Sequence, residues 1–169
     1  DMGVESFIRR YENRYQYQMK EAEGIDSHYK MNPTISAGFL SATYYPVEQL
    51  KAELSVRTEY TSLNEKVNFS PRLAVNCYLG DVVLSATAGR YTQLPVSRLL
   101  AQENKLKSES CIQYNVGAQY EGDGRFYKAE LYYKKYDRLA LVEKGTVDAA
   151  EVLTSGGYGY SKGFDLFFN

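Results

Sequence analysis

From Lys51 to Tyr60 apolar and polar residues alternate without a break: Ala52, Leu54, Val56, Thr58 and Tyr60 against Lys51, Glu53, Ser55, Arg57 and Glu59. A period of two marks a two-faced strand, whereas a helix would scatter these charges around its whole circumference. The rhythm returns where Ile112, Tyr114, Val116, Ala118 and Tyr120 oppose Gln113, Asn115, Gly117, Gln119 and Glu121. It returns again with Tyr127, Ala129, Leu131 and Tyr133 against Lys128, Glu130, Tyr132 and Lys134. Weaker versions fill much of the remaining chain. Between Thr34 and Tyr45 the apolar side changes near Gly38, which predicts a β-bulge there. The strands expected are 5–19, 33–45, 50–61, 67–79, 82–94, 108–121, 125–141 and 155–168.

Strands this long exceed the ~5–6 residues usual in soluble sheets and suit the ~9–11 that cross a bilayer at a barrel's tilt. The links sort by length. Pro46-Val47-Glu48-Gln49, Gly80-Asp81 and Glu121-Gly122-Asp123-Gly124 carry tight-turn chemistry, while 20–32, 95–107 and 142–154 are long and 62–66 is the short exception. Alternation of short and long links matches an outer-membrane barrel, with tight turns at one end and extended loops at the other. Two of the long links hold helix-favouring stretches, Ser97 to Gln102 and Val147 to Val152, each too short to be stable alone.

Composition narrows the choice. There are 17 Tyr, 7 Phe and no Trp, and Tyr joins strand propensity to an amphipathic ring. With 20 basic and 21 acidic residues the chain lacks the positive footprint of a nucleic-acid binder. No run approaches the ~20 apolar residues of a membrane-spanning helix. The opening Asp1-Met2-Gly3-Val4-Glu5 is unlike an export signal, as expected of a processed chain or an internal piece of a longer one.

Alternation alone fits two kinds of barrel, a soluble one with its apolar face inside and a membrane one with that face on lipid. Strand length favours lipid. So do aromatic residues near strand ends, Tyr44, Tyr45, Tyr60, Tyr91, Tyr120, Phe126, Tyr127, Tyr136, Phe167 and Phe168, which predict girdles at the two interfaces. Neighbouring opposite charges on the polar face, Glu53 with Arg57 and Lys128 with Glu130, suit cross-strand pairs inside a lumen. The expected fold is therefore all-β, about eight antiparallel up-and-down strands of a transmembrane outer-membrane barrel. Residues 1–169 form a single barrel section, in which 1–32 is a strand plus a loop.

Chemistry-bearing clusters are scarce. Cys77 and Cys111 fall on opposite strand faces and read as small fillers. His28 stands beside Asp26 and Ser27, without the neighbours a metal site or a hydrolase triad needs, and reads as a solvated loop residue. Glu53 and Glu59 share a strand face, a spacing common on any polar sheet surface. No catalytic, cofactor or metal-binding residue is assigned, and an enzyme is the weakest reading.

Four stretches carry a resemblance. Asn68-Phe69-Ser70-Pro71-Arg72-Leu73-Ala74-Val75-Asn76 is similar to the "SPRL" strand start of TonB-dependent outer-membrane receptors. Leu84 to Pro95 resembles their "L-x-A-x-x-G-R-x-x-Q-x-P" strand, and Leu106 to Gly117 their "L-x-P-E-x-S-x-x-Y-x-x-G" stretch, with Ser108 where that family often has Pro. Tyr127 to Leu139 resembles the strand that ends in "Y-x-D-L". Order and spacing fit over roughly 34–168, while the first 30 residues resemble nothing strongly.

The resemblance implies a section of a plugged barrel of about 22 strands in the bacterial outer membrane, importing a scarce nutrient. It implies as partners the lipid bilayer, the remaining strands and plug, the energy-coupling TonB protein and a small imported ligand, with no cofactor and no nucleic acid. It also implies that Asp1 and Asn169 lie on the periplasmic side. No ligand contact is carried over. Two other readings stay open: a complete small eight-stranded barrel with a structural or adhesive role, and a soluble ligand-binding barrel. Eight strands alone leave two unpaired edges, which predicts closure into a small barrel or pairing with other chains.

Overall fold

The computed structural model describes residues 1–8, 10–17, 25–63, 66–103, 105–144 and 151–169. Among these residues there are ten strands. They are β1 (Met2–Ile8), β2 (Tyr11–Tyr17), β3 (Ile25–Met31), β4 (Thr34–Val47), β5 (Leu50–Thr61), β6 (Lys66–Leu79), β7 (Val82–Gln93), β8 (Glu109–Gly122), β9 (Arg125–Lys144) and β10 (Glu151–Phe168). One short helix, α1 (Ser97–Gln102), lies between β7 and β8. Eight strands form one antiparallel sheet in the order β1-β4-β5-β6-β7-β8-β9-β10, and β2 pairs with β3 apart from it.

Register gives every side chain a face. One row runs across the sheet through Ala42, Leu54, Leu73, Ala88, Tyr114, Tyr133 and Lys162. The adjacent row, on the other face, runs through Thr43, Glu53, Ala74, Thr87, Asn115, Tyr132 and Gly163. The apolar face stays bare, with Leu54 60%, Leu131 58% and Phe164 67% exposed. A continuous apolar wall of this size belongs against lipid rather than water. The polar face is the inward one. At the tight-turn end Asp123 (φ 50°) and Gly124 (φ 70°) occupy the left-handed region that a two-residue hairpin turn demands.

Several expectations change. The strand expected at 5–19 is divided into β1 and β2, with residues 18 and 19 outside the described ones. The loop expected at 20–32 contains β3, so His28 is a strand residue opposite Arg14 rather than a loop residue. No bulge occurs at Gly38: pairing is regular from Ile35 to Tyr44 against β5, and the irregularity falls between Tyr44 and Val47. The change of apolar side has another cause. Gly38 and Ser36 face outward near the loop end, while Ile35 and Ala37 face inward and are buried. The link expected at 142–154 is shortened by β9 and β10, and Glu151 and Val152, expected in a helical turn, open a strand; 147–150 lie outside the described residues.

The expected girdle also divides between faces. Tyr44, Tyr60, Tyr120, Tyr127 and Phe168 belong to the outward rows, whereas Tyr91, Tyr136, Phe126 and Phe167 belong to the inward ones. Tyr120 and Tyr127 stack at 6.0 Å on the lipid side; Phe126 and Phe167 meet edge to face at 5.6 Å on the other. Asn169 pairs with Phe126 at the tight-turn end, but Asp1 is level with Ser41, well up the wall.

Between β9 and β10 the ladder is irregular twice in succession. Arg138 is an extra residue on β9 between Asp137 and Leu139, and a second irregularity on β10 falls between Thr154 and Gly157. Arg138 takes a left-handed conformation (φ 61°), and its Nη2 is buried with no hydrogen-bond partner. β10 does not pair with β1, so the expected closure into a small barrel is not what the chain adopts.

Candidate functional site

The inward wall carries the polar chemistry. Arg57 on β5 reaches across β4 to Glu5 on β1, passing the small Ala37, and also holds Glu59 at 3.3 Å. Glu53 pairs with Lys51 at 3.4 Å, not with Arg57 as its position on the strand predicted. Lys128 and Glu130 pair at 2.9 Å, but along β9 rather than across strands as expected. All of these side chains keep contact with solvent, so the pairs orient groups on a wet surface and add little stability.

Further along the same face, Gln113 donates from Nε2 to Asn115 Oδ1 at 3.1 Å. Two cations lie over aromatic rings: Arg72 is 4.6 Å from the centre of Tyr91, and Lys134 is 5.2 Å from that of Tyr132. The Tyr132 ring folds down over Gly163, where a Cβ would stand 2.6 Å from the phenol oxygen. The inward face thus presents flat aromatic surfaces already covered by cations.

At the loop end a capping segment, α1 with the residues up to Ser108, folds onto the inward side. α1 has no side-chain cap and only six residues, so tertiary contacts hold it. Leu100 and Leu106 are buried, as are Ile35, Ala37, Thr61, Asn68 and Ser70 on the wall. Asn68 Nδ2 donates to Ser108 Oγ at 2.9 Å in a buried contact, fixing the segment to β6. The Lys107 amide donates to Ser155 Oγ at 2.9 Å and ties it to β10. Glu109 accepts from Gln93 Nε2 at 2.9 Å and from the Ala140 amide at 3.2 Å. Below this knot lies a cavity of about 100 Å³ whose lining includes Tyr91, Gln93, Glu109, Cys111 and Tyr136.

The cysteines stand on opposite faces, Cys77 outward and Cys111 inward at that cavity, and both are free thiols. No cluster of His, Cys, Asp or Glu among the described residues is arranged to hold a metal ion. Sequence reasoning missed Asn68, Ser108 and Glu109 as the groups that anchor the cap. Their one sequence signal was polarity at positions where strands begin.

The sequence model of the family described as TonB dependent receptor-like, beta-barrel, matches residues 6–169. The chain belongs to that family. The match takes in most of the first 30 residues, where no motif was visible. A TonB-dependent receptor barrel is a bacterial outer-membrane structure, and its family are transporters. Solved structures agree on the fold. The ferric enterobactin receptor of Pseudomonas aeruginosa superposes with a TM-score of 0.75 at 14% identity, over 90% of this chain and 26% of that one. The siderophore receptor PirA of the same organism gives 0.69 at 16% identity, over 81% and 28%. The copper transporter OprC gives 0.70 at 18% identity, over 98% and 30%. The chain therefore spans less than a third of the length of each of these receptors. No curated relative matches it by sequence.

Proposed function

We propose that residues 1–169 are one continuous section of the barrel wall of a TonB-dependent uptake transporter. Its inward face and loop-end cap would contact a scarce nutrient on its way through the lumen. The observation that carries this reading is the capping segment pinned inside the wall by Asn68–Ser108, above a cavity lined by Tyr91, Gln93, Glu109 and Tyr136. Aromatic faces, hydroxyls and paired charges suit a polar, partly aromatic ligand. Siderophores and copper, named for the similar receptors, place metal complexes first among the ligands to try. Movement of such a ligand requires the rest of the barrel, a plug and the TonB protein as energy source.

The test is uptake by cells whose own copy of the full-length gene is deleted and restored. Under iron or copper limitation, accumulation of one radiolabelled metal complex from a panel should fall on deletion. A Tyr91→Ala/Tyr136→Ala variant should restore it only partly, with uptake about tenfold or more below wild type, as expected from losing two aromatic contacts. Uptake of every complex unchanged by the deletion would refute the transport reading.

A further inference from the structure

The wall is divided near its loop end. β6 pairs with β5 as far as Lys66 opposite Thr61, and β7 pairs with β8 as far as Gln93 opposite Glu109. Between β6 and β7 themselves pairing stops lower down, at Arg72 opposite Gly89. Pro71, the next residue of β6, has no amide hydrogen to offer a neighbouring strand. From there upward, residues 66–71 and 90–93 flank a seam that side chains close.

Side-chain contacts cross it at three levels. At its base the Arg72 guanidinium lies 4.6 Å from the centre of the Tyr91 ring. Gly89 makes room: a Cβ there would stand 3.0 Å from Arg72 Cγ and 3.2 Å from Tyr91 Cε2. Above this, the hydroxyls of Ser70 and Thr92 meet at 3.1 Å. Ser70 belongs to an inward row and Thr92 to an outward one, so their contact lies within the thickness of the wall. At the top Asn68 holds Ser108 at 2.9 Å. The Lys107 amide donates to Ser155 on β10, and Glu109 accepts from the Ala140 amide on β9, so the capping segment is tied to the β7 side as well. Each crossing contact has the strength of one hydrogen bond or one cation–ring pair, whereas a backbone ladder joins β4 to β5 and β5 to β6 at the same end.

Seam and cavity share residues. Tyr91 and Thr92, the β7 partners of Arg72 and Ser70, both line the cavity of about 100 Å³. Small-molecule sites run to about 300–1,000 Å³, so an occupant of that size has to displace lining side chains. We propose that the seam is a gate worked from this cavity. An occupant that moves Tyr91 off Arg72 and Thr92 off Ser70 lets β7 to β10, with the capping segment, part from β6 above a hinge at Arg72 and Gly89. That the occupant is the transported complex rests on the uptake reading; that the seam opens does not. Because coupling is reciprocal, holding the seam shut weakens binding in the cavity by the factor by which binding favours opening.

The test has two parts, both on the full-length protein. In detergent, the thiol of a Ser70→Cys variant, at a position 4% exposed, is labelled with a maleimide, and wild type supplies the background from Cys77 and Cys111. It should label slowly, and about tenfold faster once Asn68→Ala removes the upper contact. A rate at background, unmoved by Asn68→Ala, overturns the gate. In cells, Ser70→Cys/Thr92→Cys places two sulfurs where the hydroxyls now touch, close enough to join. Oxidation should lower uptake of the gene-dependent metal complex about tenfold. A phosphine reductant should restore it in the same cells, which rules out misfolding, and neither single variant should respond to the reductant. Uptake unchanged by the cross-link overturns the coupling of seam to cavity. If uptake of no complex depends on the gene, the uptake reading fails, and the labelling rates still decide whether the seam opens.

Discussion

At Gly157 a Cβ would lie 2.8 Å from the Leu139 carbonyl oxygen and 2.9 Å from the Leu139 Cβ, so the neighbouring strand itself occupies the space. Two residues further on, a Cβ at Gly159 meets nothing within 4 Å. The two glycines therefore separate close packing from mere tolerance. Gly157→Ala should destabilise the barrel by about 2 kcal/mol, because backbone must move to admit the methyl group. Gly159→Ala should leave stability within about 0.5 kcal/mol. Thermal unfolding followed by heat-modifiable mobility distinguishes them, and equal melting of the two variants would show that the β9–β10 irregularity gives way freely.

The capping segment is held by few points, and one of them is accessible to a single substitution. Asn68→Ala leaves the buried Ser108 hydroxyl without its donor, a loss of about 1–3 kcal/mol to the docked state. Amide hydrogen exchange should rise across 97–108 while β8 and β9 stay protected; uniform exchange throughout the sheet would mean that the segment is part of the wall's own stability. The wall strands were legible in sequence, and the cap's partners were not, for one physical reason. Leu50–Thr61, Val82–Gln93 and Glu109–Gly122 match their expected bounds closely because lipid on one side and water on the other enforce alternation. Ile25–Met31 has no such enforcement, since it belongs to the separate β2–β3 hairpin, and it read as loop. Arg57 finds Glu5 only through the register of three strands, which no local pattern encodes. The helix Ser97–Gln102 was visible from composition, but nothing in its residues announced that it turns inward.

Among the described residues the eight-stranded sheet has two open edges, the outer sides of β1 and β10. In a bilayer, backbone groups along such edges demand partners. Residues 1–169 prepared alone in detergent should form oligomers by light scattering, and the same residues within a full-length receptor should not. A stable monomer of the isolated chain without detergent would contradict the assignment of the apolar face to lipid. The twin irregularities of β9 and β10 bear on how such a protein changes through time. Because Arg138 on one strand is balanced by an extra residue on the other, pairing above them resumes in step with pairing below. Losing a single codon on either strand would leave the upper hairpin one residue out of step, with side chains meant for the lumen turned to the outside. Loss of both codons would cancel. Length variation in this hairpin is thus expected to be inherited as coupled pairs of small deletions, or confined to the loop that joins the two strands.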